Sequence, residues 1–297
     1  LIGQTPAVDV LTDPWSWWIE PFTSNEFMRH ALAAAILTVL TTSVVGTWVV
    51  LRGMSFLGDA LAHGVLPGVA VAFIIGVDTS LGAFVAAGVM AAGIGAIRAH
   101  SPLPEDTSIG VLFVGFLALA VVIMSTQRAS YTGDLNRFLF GSITGVQAGD
   151  LVRQAVAAAV SLAGVVVFYR AFLVMTFDET LARMLGLRPR LAHLVLLGLL
   201  AVSIVVSFES VGNLLVFAFL IAPPAAAALL VRRVPMIMVV SVAFGSLAAV
   251  VGLLISYHER TAAGATMALA SVVLFFAVLT GTTAARRWRR PRLARVT

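Results

Sequence analysis

The chain has 297 residues, 60% of them hydrophobic and only 11% charged, with a mean hydropathy of +1.02 and a formal net charge of +5. Soluble domains carry about 25% charged residues, so the composition predicts an integral membrane protein and excludes a soluble enzyme; the spans below make it all-α. There is no cysteine, which excludes disulfides and thiolate metal sites, and no lysine, all 19 basic residues being arginine. Without the lysine of a phosphate-binding loop the chain is no P-loop ATPase. The positive charge is placed as membrane topology requires, and nucleic acid is not an expected partner.

The start, LIGQTPAVDVLTDPWSWWIEPF, lacks the positive n-region of a signal peptide. Trp15, Trp17, Trp18 and Phe22 mark residues 1–26 as an outer interfacial segment. Spans of about 20 apolar residues are expected near 27–50, 57–77, 80–98, 108–126, 151–174, 191–208, 211–231, 235–256 and 263–284. They give a polytopic bundle of eight or nine crossings over 27–284, followed by a basic tail at 285–297. The short gap around Glu209 predicts a tight hairpin between the sixth and seventh spans. The apolar piece from Phe138 to Val146 is too short to cross and is expected as a surface or re-entrant helix.

Arginines set the orientation. Arg52, Arg98, Arg170, Arg183, Arg188, Arg190, Arg232, Arg233 and the ARRWRRPRLAR tail share one side, whereas the other holds Arg29, Arg128, Arg137 and Arg260. The N-terminus is therefore expected outside and the C-terminus in the cytoplasm. One cytoplasmic loop, YRAFLVMTFDETLARMLGLRPR, has an order of its own. Asp178 and Glu179 open a short helix at its positive end, Leu181, Met184 and Leu185 form an apolar stripe, and Gly186 stops it. Such a helix either lies on the membrane surface or docks a cytoplasmic partner.

The run GDALAHGVLPG, Gly58 to Gly68, places Asp59 and His63 one turn apart on one helix face. Charge within a span is costly unless it faces a cavity, a partner or an ion. A carboxylate and an imidazole suit a divalent cation; two ligands are few, but a twofold pair of chains supplies four. Spacing alone leaves other roles open: Asp59 as a helix cap, His63 as a hydrogen-bonded core residue, or the pair as a proton relay. Gly53, Gly58, Gly64, Pro67 and Gly68 predict a loosened or broken helix here, as Pro223 and Pro224 do in the seventh span. Glu209, His258 and Glu259 lie at outer helix ends, as solvated groups or as contacts for entering metal. His30, His100 and His193 read as interfacial. GDALAHGVLPGVA at 58–70 aligns weakly with GNLLVFAFLIAPPAAA at 212–227, Gly-Asp against Gly-Asn.

VVLRGMSFLGDALAHGVLPGVAVAFIIG closely resembles the hallmark run of ABC-3 family permease subunits, which serve ABC importers for manganese, zinc and iron. DLNRFLFGSI at 134–143 resembles the family's outer-loop segment, FDETLARMLGL at 177–187 its coupling segment, VGNLLVFAFLIAPPAAAALL at 211–230 its small-residue helix, and ISYHERTAAGATMAL at 255–269 its last outer hairpin. The resemblance implies a fold like that of type II ABC importers in the bacterial inner membrane. It implies a dimer, most simply a homodimer, with a separate cytoplasmic ATPase and an outer solute-binding protein; the chain itself is then no enzyme. It further implies that Asp59 and His63 are the intramembrane metal pair, that the metal is cargo with no permanent cofactor, and that Asp178, Glu179, Ala182, Arg183, Leu185 and Gly186 belong to the ATPase-coupling helix. Ala62, Gly64 and the His258-Glu259-Arg260 run depart from commoner family residues.

Two other readings differ in mechanism. A permease for a metal chelate, a siderophore or corrinoid, needs a wide apolar path and no Asp–His pair. An intramembrane zinc hydrolase needs three protein ligands and a general base, and the chain offers two ligands and no HExxH.

Overall fold

The computed structural model describes residues 14–101, 104–125 and 145–293. Arg128, Asp134, Arg137, segment 134–143 and all but the last two residues of 138–146 lie outside the described residues, as do the side chains of Arg98 and Glu209. The helices are α1 (Pro14–Trp18), α2 (Glu20–Ser24), α3 (Glu26–Leu51), α4 (Ser55–Gly64), α5 (Leu66–Ile75), α6 (Thr79–His100), α7 (Glu105–Ser125), α8 (Ala148–Phe177), α9 (Glu179–Met184), α10 (Pro189–Val211), α11 (Asn213–Leu230), α12 (Val234–Glu259) and α13 (Ala263–Leu293). Among the described residues there is no strand, and nine segments are long and apolar enough to cross a membrane, with α4 and α5 together forming one of them. These are the nine expected spans, each shifted at its ends by a few residues.

The bundle is built around α3, which packs against α8, α10, α11 and α12. Its sequence has no polar face, and a helix apolar all round belongs inside a bundle; Ala31, Ala35, Val39, Val45, Trp48 and Val49 are all buried. Three of its buried hydroxyls bond within the helix, as an environment without water favours, while Thr38 Oγ1 and Ser43 Oγ have no hydrogen-bond partner. Thr41, Thr42 and Thr47 donate to the carbonyls of Leu37, Thr38 and Ser43 at 2.8, 2.7 and 2.8 Å. Gly46 lets the backbone of α11 at Leu220 lie directly on α3, the close approach that small residues permit between membrane helices. Trp48 meets the ring edges of Tyr169 and Phe172 on α8, both at 5.6 Å between centroids.

At the rim, α7 and α13 keep their valines, leucines and phenylalanines exposed, Val111, Val114, Val122, Val273 and Phe276 among them. That surface suits hydrocarbon. α5 and α6 form an antiparallel pair whose closest seam is Gly68 against Gly82. α5 ends on Gly76, and Asp78 then caps α6, its Oδ1 accepting from the backbone N–H of Ser80 at 2.8 Å and of Leu81 at 3.3 Å. Hydrogen bonding, first from the Ser80 side chain and then from these two amides, holds the Asp78 carboxyl below its ordinary range.

Candidate metal site and coupling elements

The second span breaks where its sequence loosens. Proline has no N–H, so Pro67 cannot donate to the carbonyl of His63 four residues back. α4 ends at Gly64, Val65 is the joint, and α5 starts at Leu66 with Pro67 in its first turn. His63 therefore projects from the last turn of a half-helix, with Asp59 one turn before it. His63 Nε2 lies 3.6 Å from Asp59 Oδ1, and the side chains are 26% and 29% exposed. The pair is neither sealed into the core nor paired into a short hydrogen bond, for which 2.7–3.2 Å is usual. Phe113 of α7 presents its ring to the His63 ring at 5.8 Å and to Phe56 at 5.5 Å, walling one side. On the other side Gly58 packs against Leu220 and Phe217 of α11.

A residue that sequence reasoning did not single out completes the surroundings. Asn213 Nδ2 lies 3.4 Å from His63 Nε2. The contact exists because α10 and α11 turn back within the bundle. Gly212 alone separates them, with φ 84° and ψ 158°, a backbone region that is nearly glycine-only. Phe208, one turn earlier, packs with Leu66 and Ala120. The expected tight hairpin is thus present, and it stops level with the helix break. From His63 to the helix stop at Gly76 there are 13 further residues, about 20 Å of helical rise. The segments 58–70 and 212–227 run antiparallel here, Gly58 on Leu220 and His63 at Asn213. The available signal was the Gly-Asn pair laid against Gly-Asp. Among the described residues no three His, Asp or Glu side chains gather into one group.

The outer candidates do not join this site. His258 sits in the last turn of α12, where its Nδ1–H donates to the Leu254 carbonyl at 2.9 Å. Its ring stacks on Trp17 at 4.8 Å with planes 13° apart. Asn25 Nδ2 donates to the Tyr257 hydroxyl at 3.2 Å. His258 and Tyr257 thus fasten the tryptophan-bearing segment to the end of α12, while Glu259 is exposed. Glu209 lies in the last turn of α10.

On the opposite face, α9 has the bounds expected of it. Asp178 caps it, accepting from the Leu181 N–H at 2.9 Å, and Gly186 stops it at φ 71°. Glu179 accepts from Arg183 at 2.8 Å. Ala182 is fully buried and seats the helix, whereas Leu181, Met184 and Leu185 are 45%, 78% and 50% exposed. Ala182 is therefore the anchor, and the stripe faces outward. Behind α9, a cavity of about 400 Å³ is lined by Gly95, Glu179, Arg183 and His193, among others. His193, expected as an interfacial residue, is instead buried at 4% exposure, with Arg52 Nη1 3.1 Å from its Nδ1. An arginine donates only, so His193 Nδ1 is an acceptor in that contact, which ties the end of α3 to the start of α10.

Residues 24–282 match the family model described as the ABC 3 transport family. The manganese transport system membrane protein MntC of Listeria monocytogenes is 35% identical over 259 residues, covering 87% of this chain and 92% of MntC. The chelated iron transport system membrane protein YfeD of Yersinia pestis is 35% identical over 260 residues, covering 88% and 86%. Among solved structures, PsaBC from Streptococcus pneumoniae in complex with Fab superposes with a TM-score of 0.77 at 35% identity, covering 88% of this chain and 94% of the matched one. A helical bundle of this architecture, with a family match over nearly its whole length, admits one assignment: the chain belongs to the ABC 3 transport family.

Proposed function

We propose that the chain is the membrane permease of an ATP-driven importer of divalent transition-metal ions, manganese, iron or zinc, in a bacterial inner membrane, with its C-terminus in the cytoplasm. It works as a pair of copies, with a separate cytoplasmic ATPase and an outer protein that delivers the metal. The observation that carries this reading is the Asp59–His63 pair. A carboxylate and an imidazole stand 3.6 Å apart at a helix break inside a span, and both are partly exposed. Asp59 supplies the negative charge that offsets dehydration of a dication, and neutral His63 supplies a nitrogen whose affinity falls as it protonates. Two copies facing each other bring four such groups to one ion. The names of the relatives MntC and YfeD favour manganese and iron among the candidates.

The path for the ATPase stroke runs through α9 and α10. The exposed Leu181, Met184 and Leu185 give a partner an apolar surface on a helix anchored by Ala182. α10 follows directly and is one unbroken helix of 23 residues, about 35 Å long. Its far end is the Gly212 turn beside His63. A displacement of α9 therefore reaches the metal pair along a single rod, which suits alternating access.

The test is uptake of radiolabelled manganese by cells expressing the permease with its ATPase and binding protein. Asp59→Asn and His63→Ala each abolish uptake while the subunits still co-purify. Normal uptake by both variants would remove the site, and uptake only of a preformed iron chelate, unaffected by free metal, would favour the chelate mechanism.

A further inference from the structure

We propose that Asn213 is a third metal-facing residue of this site, supplying a neutral amide oxygen that biases the permease toward manganese or iron(II) over zinc. The inference rests on the Asp59–His63 reading above and extends it to a residue on a different span. Its starting point is an unresolved polar cluster. Asp59 Oδ1 and Asn213 Nδ2 both converge on one atom, His63 Nε2, at 3.6 and 3.4 Å. Asn213 is 8% exposed, and its Oδ1 is buried with no hydrogen-bond partner. A buried acceptor left unpaired is rare in native folds and asks for an explanation.

In the empty site the amide is left half-paired. With the amide as placed, Nδ2 donates to an unprotonated Nε2 and the orphan is Oδ1. With the amide turned over, Oδ1 accepts from a protonated Nε2, and the Nδ2 group takes the buried place in which Oδ1 had no partner. A dication engages all three groups. It takes the Nε2 lone pair, the Asp59 carboxylate and, after rotation of the amide about its terminal bond, the Asn213 Oδ1. The spacing suits this outcome: donors bonded to one first-row dication at about 2.1 Å lie about 3.0–3.4 Å from one another. The cluster is thus close to the spread of a coordination sphere before any ion enters.

The donor set also decides preference. Carboxylate and carbonyl oxygens favour manganese, whereas zinc settles in four-coordinate sites rich in nitrogen or sulfur. Two copies contribute two oxygens and one nitrogen each, six donors in all, the number an octahedral ion takes. Removing the amide leaves four, which suits zinc. Gly212 is the structural reason that Asn213 reaches this position, since its backbone conformation turns α11 inward at the depth of His63.

The experiment compares Asn213→Ala and the shape-matched Asn213→Asp with wild type in the complete transporter. It measures uptake of radiolabelled manganese in the presence of increasing zinc chloride, with Asp59→Asn as the reference. Asn213→Ala is expected to lower manganese uptake about tenfold and to make zinc a correspondingly stronger competitor; Asn213→Asp keeps an oxygen donor and keeps the manganese preference. If Asn213→Ala leaves the zinc-to-manganese ratio unchanged, or depresses both metals equally with no recovery in Asn213→Asp, the proposal is overturned, because a packing role moves both metals alike. The outcome for Asp59→Asn separates the two levels. Lost uptake there with no effect at Asn213 rejects only the third ligand, whereas normal uptake rejects the site itself.

Discussion

Two glycines on α6, six residues apart, receive opposite predictions for the same substitution. Gly82 forms the α5–α6 seam: a methyl there would run into the Gly68 carbonyl oxygen and approach Ala72 Cβ to 2.6 Å. Ordinary carbon–carbon contact is about 3.5–4.0 Å, so the helices would have to part by about 1 Å. The blocking atom is backbone and has no rotamer to change. Overpacking typically costs about 1–3 kcal/mol, and the absence of a flexible neighbour puts Gly82→Ala near the top of that range. Gly88 is exposed and has nothing within 4 Å of a built Cβ, so Gly88→Ala should gain about 0.5–1 kcal/mol from lower chain entropy. The pair should therefore differ by about 4 kcal/mol in SDS-titrated unfolding of the purified protein in mixed micelles. Equal midpoints for the two variants would mean that the seam is not tight and that α5 is not held against α6 as described.

Gly212→Ala should strain the α10–α11 turn by about 1–3 kcal/mol and abolish manganese uptake, while Gly198→Ala, on the same rod with open space around it, leaves uptake unchanged. Leu181→Ser combined with Met184→Ser should move stability by no more than about 0.5 kcal/mol, both side chains being exposed, yet weaken co-purification of the ATPase; unchanged co-purification would place the partner elsewhere. Asp78→Ala removes the α6 cap, worth about 0.5–1 kcal/mol. Its folded pKa is lowered from an ordinary 3.8, so the cap's contribution is full above that value and fades as pH falls through the lower folded one. The difference in melting temperature between wild type and Asp78→Ala should accordingly be present at neutral pH and shrink only in strong acid.

The features readable from sequence were those written in neighbouring residues. Nine spans follow from runs long enough to cross hydrocarbon, the break after His63 from a proline four residues on, and the bounds of α9 from Asp178 and Gly186. The tight hairpin was legible too, because so few residues separate its arms. What escaped depends on residues far apart in the chain. Asn213 meets His63 across 150 positions, and His258 meets Trp17 across most of the chain. No local pattern reports such pairs. His193 was misplaced for the same reason: a histidine near a span end looks interfacial until Arg52, on a different helix, is seen beside it. The weak match of Gly-Asn to Gly-Asp joins two segments that run antiparallel, Gly58 against Leu220 and His63 against Asn213. It could not say that their polar residues touch.

The most direct measurement is anomalous diffraction at the manganese edge from crystals of the assembled transporter loaded with manganese. The account predicts one peak per pair of permease chains, on the twofold axis, within bonding distance of Asp59 and His63 from both copies. A transported ion bound elsewhere, with those two side chains turned toward lipid, would contradict it.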